Sequence, residues 1–166
     1  LPQSWFFDEG FLFDSGAYRR ERWDRALDDD ARERVRTYVG HLRSSSDALE
    51  QQGRRGDIAT LRRTLGVSDS RVLLVPLQRP RDTAVRYFAG PLGGHAGFEA
   101  LVTATAETLR ATSEPWTVVV KQHPLEDGVP HVEGPNVRLA PPDAHVHDLA
   151  ELADACLVLT SGVGLL

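Results

Sequence analysis

Three short apolar runs decide what the second half of this chain can become. Residues 71–77 (RVLLVPL), 117–120 (TVVV) and 155–159 (ACLVL) are rich in branched aliphatic side chains. Apolar runs of that length, without polar alternation, suit strands covered on both faces. Between the first two, Phe98, Leu101, Val102, Thr105 and Leu109 mark one face of a helix, with threonine the weakest member. A short strand at 136–139 and a helix capped by Asp143 and running to about Asp154 precede the last run. Strand and helix alternating at this spacing predict parallel βαβ units with right-handed crossovers. Residues 71–166 are therefore expected to form half of a nucleotide-binding, Rossmann-like α/β sheet. Such sheets bind ligands beyond the carboxyl ends of their strands, so chemistry is expected at residues 78–82, 121–124 and 160–164.

The first seventy residues read differently. The segment 5–13 (WFFDEGFLF) is an apolar run broken by two carboxylates and a glycine, and suits a strand, turn, strand or loop. Trp23, Leu27, Val35, Tyr38 and Leu42 lie on one helical face; Asp30 with Glu33 forms a capping box, from which a helix is expected to run to about Gln51. Residues 52–56 (QGRRG) punctuate a linker, and a short helix follows, opened by Asp57 and closed by Gly66. The expected organisation is an acidic loop over 1–19, a helical connecting segment over 20–70 and the Rossmann-like domain over 71–166. Twelve of the 19 basic and 13 of the 24 acidic residues fall in positions 1–70, so the helices there are expected to be exposed.

Composition narrows the classes further. With 166 residues, 41% hydrophobic and 26% charged, the chain is long enough for a real core and unlike disordered or fibrous sequences. A net charge of −5 disfavours nucleic acid, whose phosphates call for a basic surface. No apolar run approaches the roughly 18 residues of a membrane span, and no charged-then-apolar leader opens the sequence, so a cytoplasmic chain is expected. The only cysteine, Cys156, sits in an apolar run expected to be a core strand, and excludes an internal disulfide. There is no methionine, from which the chain is expected to be a fragment or a processed product.

Three constellations stand out. Lys121, the only lysine, opens Lys-Gln-His-Pro after the TVVV run, which places His123, kept in position by Pro124, and a cation where they can reach a ligand phosphate or base. The alternative is a loop histidine beside a solvated lysine. Thr160, Ser161, Gly162 and Gly164 follow the last run; small residues let backbone N–H groups approach an anion, although such turns are common. Asp8 and Glu9 lie beside an apolar run, where mutual repulsion and partial burial suit one of them to acid or base work; an acidic turn in solvent is the plainer alternative. The glycines at 90–97 fit neither GxGxxG nor a phosphate loop and read as a flexible connection. His41, His131, His145 and His147 offer no metal-ligand spacing, and no Gly-x-Ser-x-Gly elbow supports covalent hydrolase chemistry. No metal and no cofactor are expected.

Together these segments resemble the capsular polysaccharide biosynthesis family of bacterial glycosyltransferases, which includes the Kdo transferases of capsule lipid linkers. The order matches: Asp8-Glu9-Gly10-Phe11-Leu12; a strand followed by Gln78 with Asp82 four residues on; Lys121-Gln122-His123-Pro124; and Thr160-Ser161-Gly162-Val163-Gly164. Bacterial sialyltransferases carry a similar trio of acidic-glycine, His-Pro and Ser/Thr motifs. The resemblance implies a GT-B enzyme, of which this chain would be the acidic loop and most of the C-terminal donor domain, inactive by itself. It implies a CMP-activated donor carrying a Kdo- or sialic-acid-like sugar, a glycan or glycolipid acceptor, and a peripheral place beside a membrane polysaccharide assembly. It further implies that Asp8 and Glu9 supply the catalytic carboxylate, that His123 contacts the CMP phosphate or nucleotide, and that Thr160, Ser161 and the adjacent glycines hold the phosphate. Gln78, Asp82, Lys121 and Pro124 complete the expected substrate-binding set. The sequence departs from the family at Phe13, where members carry arginine, and at Leu166, where they carry glutamate. Two alternatives stand beside this reading: a non-catalytic Rossmann-like module that binds a nucleotide or partner, and a GT-B-like sugar-nucleotide epimerase.

Overall fold

The computed structural model of the chain describes residues 26–46, 48, 52–92, 95–159, 161 and 163. It divides into two compact units, Leu1–Ser44 and Ser45–Leu166. In the first, helix α1 spans Asp29–Ser44 and has no buried residue, as its charge density predicts. The cap is Asp28 rather than Asp30: its carboxylate accepts the Ala31 N–H (2.7 Å) and its carbonyl the Arg32 N–H (3.0 Å). Any of three consecutive aspartates satisfies the capping rule, and the first one takes the position. The helix stops seven residues short of Gln51. Ser44 Oγ bonds back to the Gly40 and His41 carbonyls (3.0 and 3.1 Å), a local alternative to continuing the helical ladder.

The second unit contains α2 (Ile58–Leu65), β1 (Arg71–Pro76), α3 (Thr83–Phe88), a 3-10 turn (Gly90–Leu92), α4 (His95–Arg110), β2 (Trp116–Lys121), β3 (Val137–Leu139), α5 (Val146–Leu152) and β4 (Ala155–Cys156). Asp57 and Gly66 cap α2 as expected; Gly66 adopts φ 66°, where a side chain would be strained. Helix α2 belongs to the unit that carries the sheet, which begins at Ser45. Leu65 and Val67 are buried against the sheet, with Ile58 and Leu61 packed around them.

All four strands are parallel, in the order β3-β2-β1-β4. In register, Pro76 stands beside Lys121, Val120 beside Leu139, and Leu74 beside Cys156. Period-two geometry sends alternate residues to opposite faces. Leu73, Val75, Val118 and Val120 pack with Phe98, Val102 and Ala106 of α4, whereas Val72, Leu74 and Val119 pack with Leu65, Leu149 and Leu152. Helices thus cover both faces, the doubly wound, Rossmann-like arrangement. From β1 the chain proceeds to β2 and β3 on one side, then returns to place β4 on the other. The gap between the carboxyl ends of β1 and β4 is therefore the topological switch point, where sheets of this kind open a crevice.

Several local expectations are corrected. Residues 83–88 are helical and Gly90–Leu92 form a 3-10 turn, so the stretch after β1 is more ordered than a flexible connection. Gly97 lies inside α4, where a Cβ would sit 3.2 Å from the Leu92 Cα. The cap of α5 is His145, not Asp143: Nδ1 accepts the His147 N–H (3.2 Å) and Nε2 donates to the Ser46 carbonyl (3.1 Å). Cys156 is exposed on β4, which among the described residues pairs only with β1, instead of buried in a central strand. The linker at 52–56 is fastened to α5, with Gln52 Oε1 accepting the Val146 N–H (2.8 Å) and Asp148 accepting the Gly56 N–H (2.7 Å). Among the described residues, no helix is long and apolar enough to cross a membrane.

Candidate functional site

The carboxyl edge of the sheet is assembled by the loops that leave β1, β2 and β4. Gln78 lies two residues past β1, half-buried; Gln122 and His123 directly follow β2; Ser161 follows β4 by five residues. Because the strands are parallel, all of these occupy one edge. The first two loops are tied together by Arg79 Nε, which donates to Glu126 Oε1 (3.1 Å). Gln122 shapes the second loop, its amide donating to the Glu126 carbonyl (2.6 Å) and to the Gly128 carbonyl.

His123 is half-buried, and its Nδ1 accepts the Leu125 N–H (3.1 Å) across the turn that Pro124 begins. An accepting Nδ1 assigns the proton of the neutral ring to Nε2. Ser161 Oγ accepts the Val163 N–H (3.2 Å), a tight turn of the type small hydroxyl residues favour. Asp8, Glu9, Thr160, Gly162 and Gly164 lie outside the described residues.

Two of the expected ligand residues perform tasks within the fold. Asp82 accepts the Ala84 N–H (2.9 Å) and caps α3. Lys121 is only 5% exposed, and its ammonium donates to the Pro142 carbonyl (2.6 Å) and the Pro141 carbonyl (3.3 Å), joining the end of β2 to the approach to α5. Burial pushes the Lys121 ammonium below its ordinary value of 10.5, against a smaller opposing pull from Asp143. A lysine so placed serves the edge as a brace more than as an exposed cation. Although Cys156 is exposed as a residue, partial desolvation of its sulfur pushes the thiol above its ordinary value.

One site residue escaped the sequence reading. Glu99, in α4, is 5% exposed, and its Oε1 accepts the His131 N–H (2.9 Å). With Gln78 it borders a small notch whose other walls include Leu77, Val85, Phe98 and Leu159. Gln78 and Leu159 belong to the loops after β1 and β4, so the notch occupies the switch point. A signal for Glu99 existed: it stands three residues before Val102 and seven before Ala106, both buried, and so belongs to the same helix face. Among the described residues, no group of three or more histidine, cysteine, aspartate or glutamate side chains could hold a metal ion.

Comparison with known protein families, with curated proteins and with solved structures finds no match to this chain.

Proposed function

We propose that the chain is the donor-binding part of a GT-B glycosyltransferase of surface polysaccharide assembly, which transfers a Kdo- or sialic-acid-like sugar from a CMP-activated donor to a glycan or glycolipid acceptor. The observation that carries the reading is placement: Gln78, Lys121, His123 and Ser161 all lie at or beyond the carboxyl ends of parallel strands, beside a switch point. In sheets of this class that edge receives nucleotides. The acceptor chemistry puts the enzyme at the cytoplasmic face of a membrane, as a peripheral protein.

In this reading, the backbone and hydroxyls around Thr160 and Ser161 surround the donor phosphate, and His123 donates to the phosphate or nucleotide. As the bond from the anomeric carbon to the CMP phosphate breaks, positive charge develops at that carbon; the acceptor oxygen bonds to it and gives up its proton, work suited to a carboxylate from Asp8 or Glu9. The non-catalytic module remains the second reading, favoured by one observation: Asp82 and Lys121 are already engaged in the fold.

Calorimetry of the intact protein with CMP, UDP and GDP tests the donor, with a clear preference for CMP expected. His123→Ala should weaken CMP binding by about one to two decades, the value of a charge-assisted hydrogen bond, with the melting temperature nearly unchanged. Unaltered affinity returns His123 to a structural role. Asp8→Asn and Glu9→Gln, made separately, test catalysis: one of them should lose roughly two decades of turnover or more while CMP affinity is retained. Near wild-type transfer by both variants removes the acidic segment from the mechanism, and CMP binding without transfer by the intact protein identifies the module.

A further inference from the structure

Glu99 is unusual for its surroundings. A carboxylate on the inner face of a helix, beside Phe98 and in the row of Val102 and Ala106, breaks the apolar pattern of a face that packs on the sheet. Such breaks in otherwise consistent folds concentrate at functional positions. A buried carboxylate also needs several donors to offset lost hydration. The His131 N–H supplies Oε1 (2.9 Å), and Oε2 is not among the enclosed side-chain atoms without a partner, so that oxygen keeps contact with solvent.

The notch that Glu99 borders has room for about a single water, and its walls are apolar apart from Gln78 and Glu99. It is too small for a ring and large enough for one donor group. Its position between the loops after β1 and β4 is where a nucleotide would rest.

We propose that Glu99 is a specificity-determining residue that accepts a hydrogen bond from one N–H or O–H group of the bound nucleotide at this notch, with Gln78 beside it. The inference rests on the CMP-donor reading above. CMP offers two groups of this chemistry to the notch, the exocyclic amine of cytosine and the ribose 2′-hydroxyl. Uracil presents a carbonyl where cytosine has its amine, and a carboxylate repels it; a 2′-deoxyribose lacks one of the hydroxyls.

The test is calorimetry of the full chain with CMP, UMP and 2′-deoxy-CMP, before and after Glu99→Gln. Glutamine keeps an acceptor for the His131 N–H and replaces the other oxygen with a donor, so the fold should survive, as a melting curve will show. CMP binding should weaken by about 10-fold or more, the scale of one charge-assisted hydrogen bond. If the amine is read, the preference of the unmodified chain for CMP over UMP collapses in the variant; if a hydroxyl is read, the preference for CMP over 2′-deoxy-CMP does. Either result supports the proposal. Equal affinity of the unmodified chain for all three nucleotides overturns it without any variant, as does a folded variant that binds all three like the unmodified chain. An unmodified chain that binds none of them overturns the donor reading itself, and this inference with it.

Discussion

Asp148→Ala should cost roughly 3–5 kcal/mol of folding stability, the range for removing one partner of a buried ion pair. The Asp148 side chain is 5% exposed and faces the Arg55 guanidinium, itself 15% exposed, while also accepting the Gly56 N–H at 2.7 Å. Arg55 retains a second partner in Glu151 (2.9 Å), but that carboxylate is 37% exposed and sits at the solvent side of the cluster. Truncation would therefore remove the buried carboxylate from beside the partly buried Arg55 guanidinium and take the acceptor from the Gly56 N–H. Against a total stability of about 5–15 kcal/mol, a loss of this size is visible as a large drop in the urea midpoint. Asp148→Asn should lose less, because its carbonyl oxygen can still receive the Gly56 N–H. A loss below about 1 kcal/mol for the alanine variant would mean that water replaces the carboxylate, and that the 52–56 segment is not held by this contact.

That segment also shows which parts of the structure were legible in the sequence. The first two strands were, because their apolar runs carry their own evidence: β1 and β2 contribute residues to the cores on both faces, as uninterrupted runs require, whereas the run 155–159 forms a strand only over Ala155–Cys156 and has no buried residue. The Asp57 and Gly66 caps were too, since a cap is decided within a few residues. Where local rules allowed several answers, the choice was not legible. Three aspartates could cap α1, and His145 caps α5 although Asp143 is the better capping residue by type, because its ring also reaches the Ser46 carbonyl. Helix α3, six residues long, is too short to show periodicity. Least legible was the strand order. Alternation predicts parallel strands but does not say that β4 returns to the far side of β1, and the switch point exists only because of that return. The notch and the role of Glu99 were hidden for the same reason: Gln78, Glu99 and Leu159 come from three separate stretches and share a border only after the sheet forms. Asp82 and Lys121 were legible as unusual residues at strand ends, but their partners, the Ala84 N–H and the Pro141 and Pro142 carbonyls, required the folded chain.

Phe98→Ala is the other substitution with a large expected effect, about 3–5 kcal/mol, typical of a buried aromatic residue cut back to a methyl group. Phe98 is buried in the core between α4 and the sheet, among Leu73, Val75, Val102, Val118 and Val120. All of these are anchored in β1, β2 or α4, so little collapse can fill the space, and the cost should fall toward the upper end of the range. Phe98→Leu conserves much of the volume and should cost less than about 1.5 kcal/mol. Urea titrations of the three proteins will separate these values, and an unchanged slope will show that the unfolded state is not the source. An alanine variant that loses less than about 1 kcal/mol would place Phe98 outside the core. The same side chain forms part of the notch that Glu99 borders. Its truncation would enlarge a space suited to one donor group into one that admits several waters. Added water beside the Glu99 carboxylate would then compete with any ligand donor, so the packing that stabilises the sheet also limits the water at this notch.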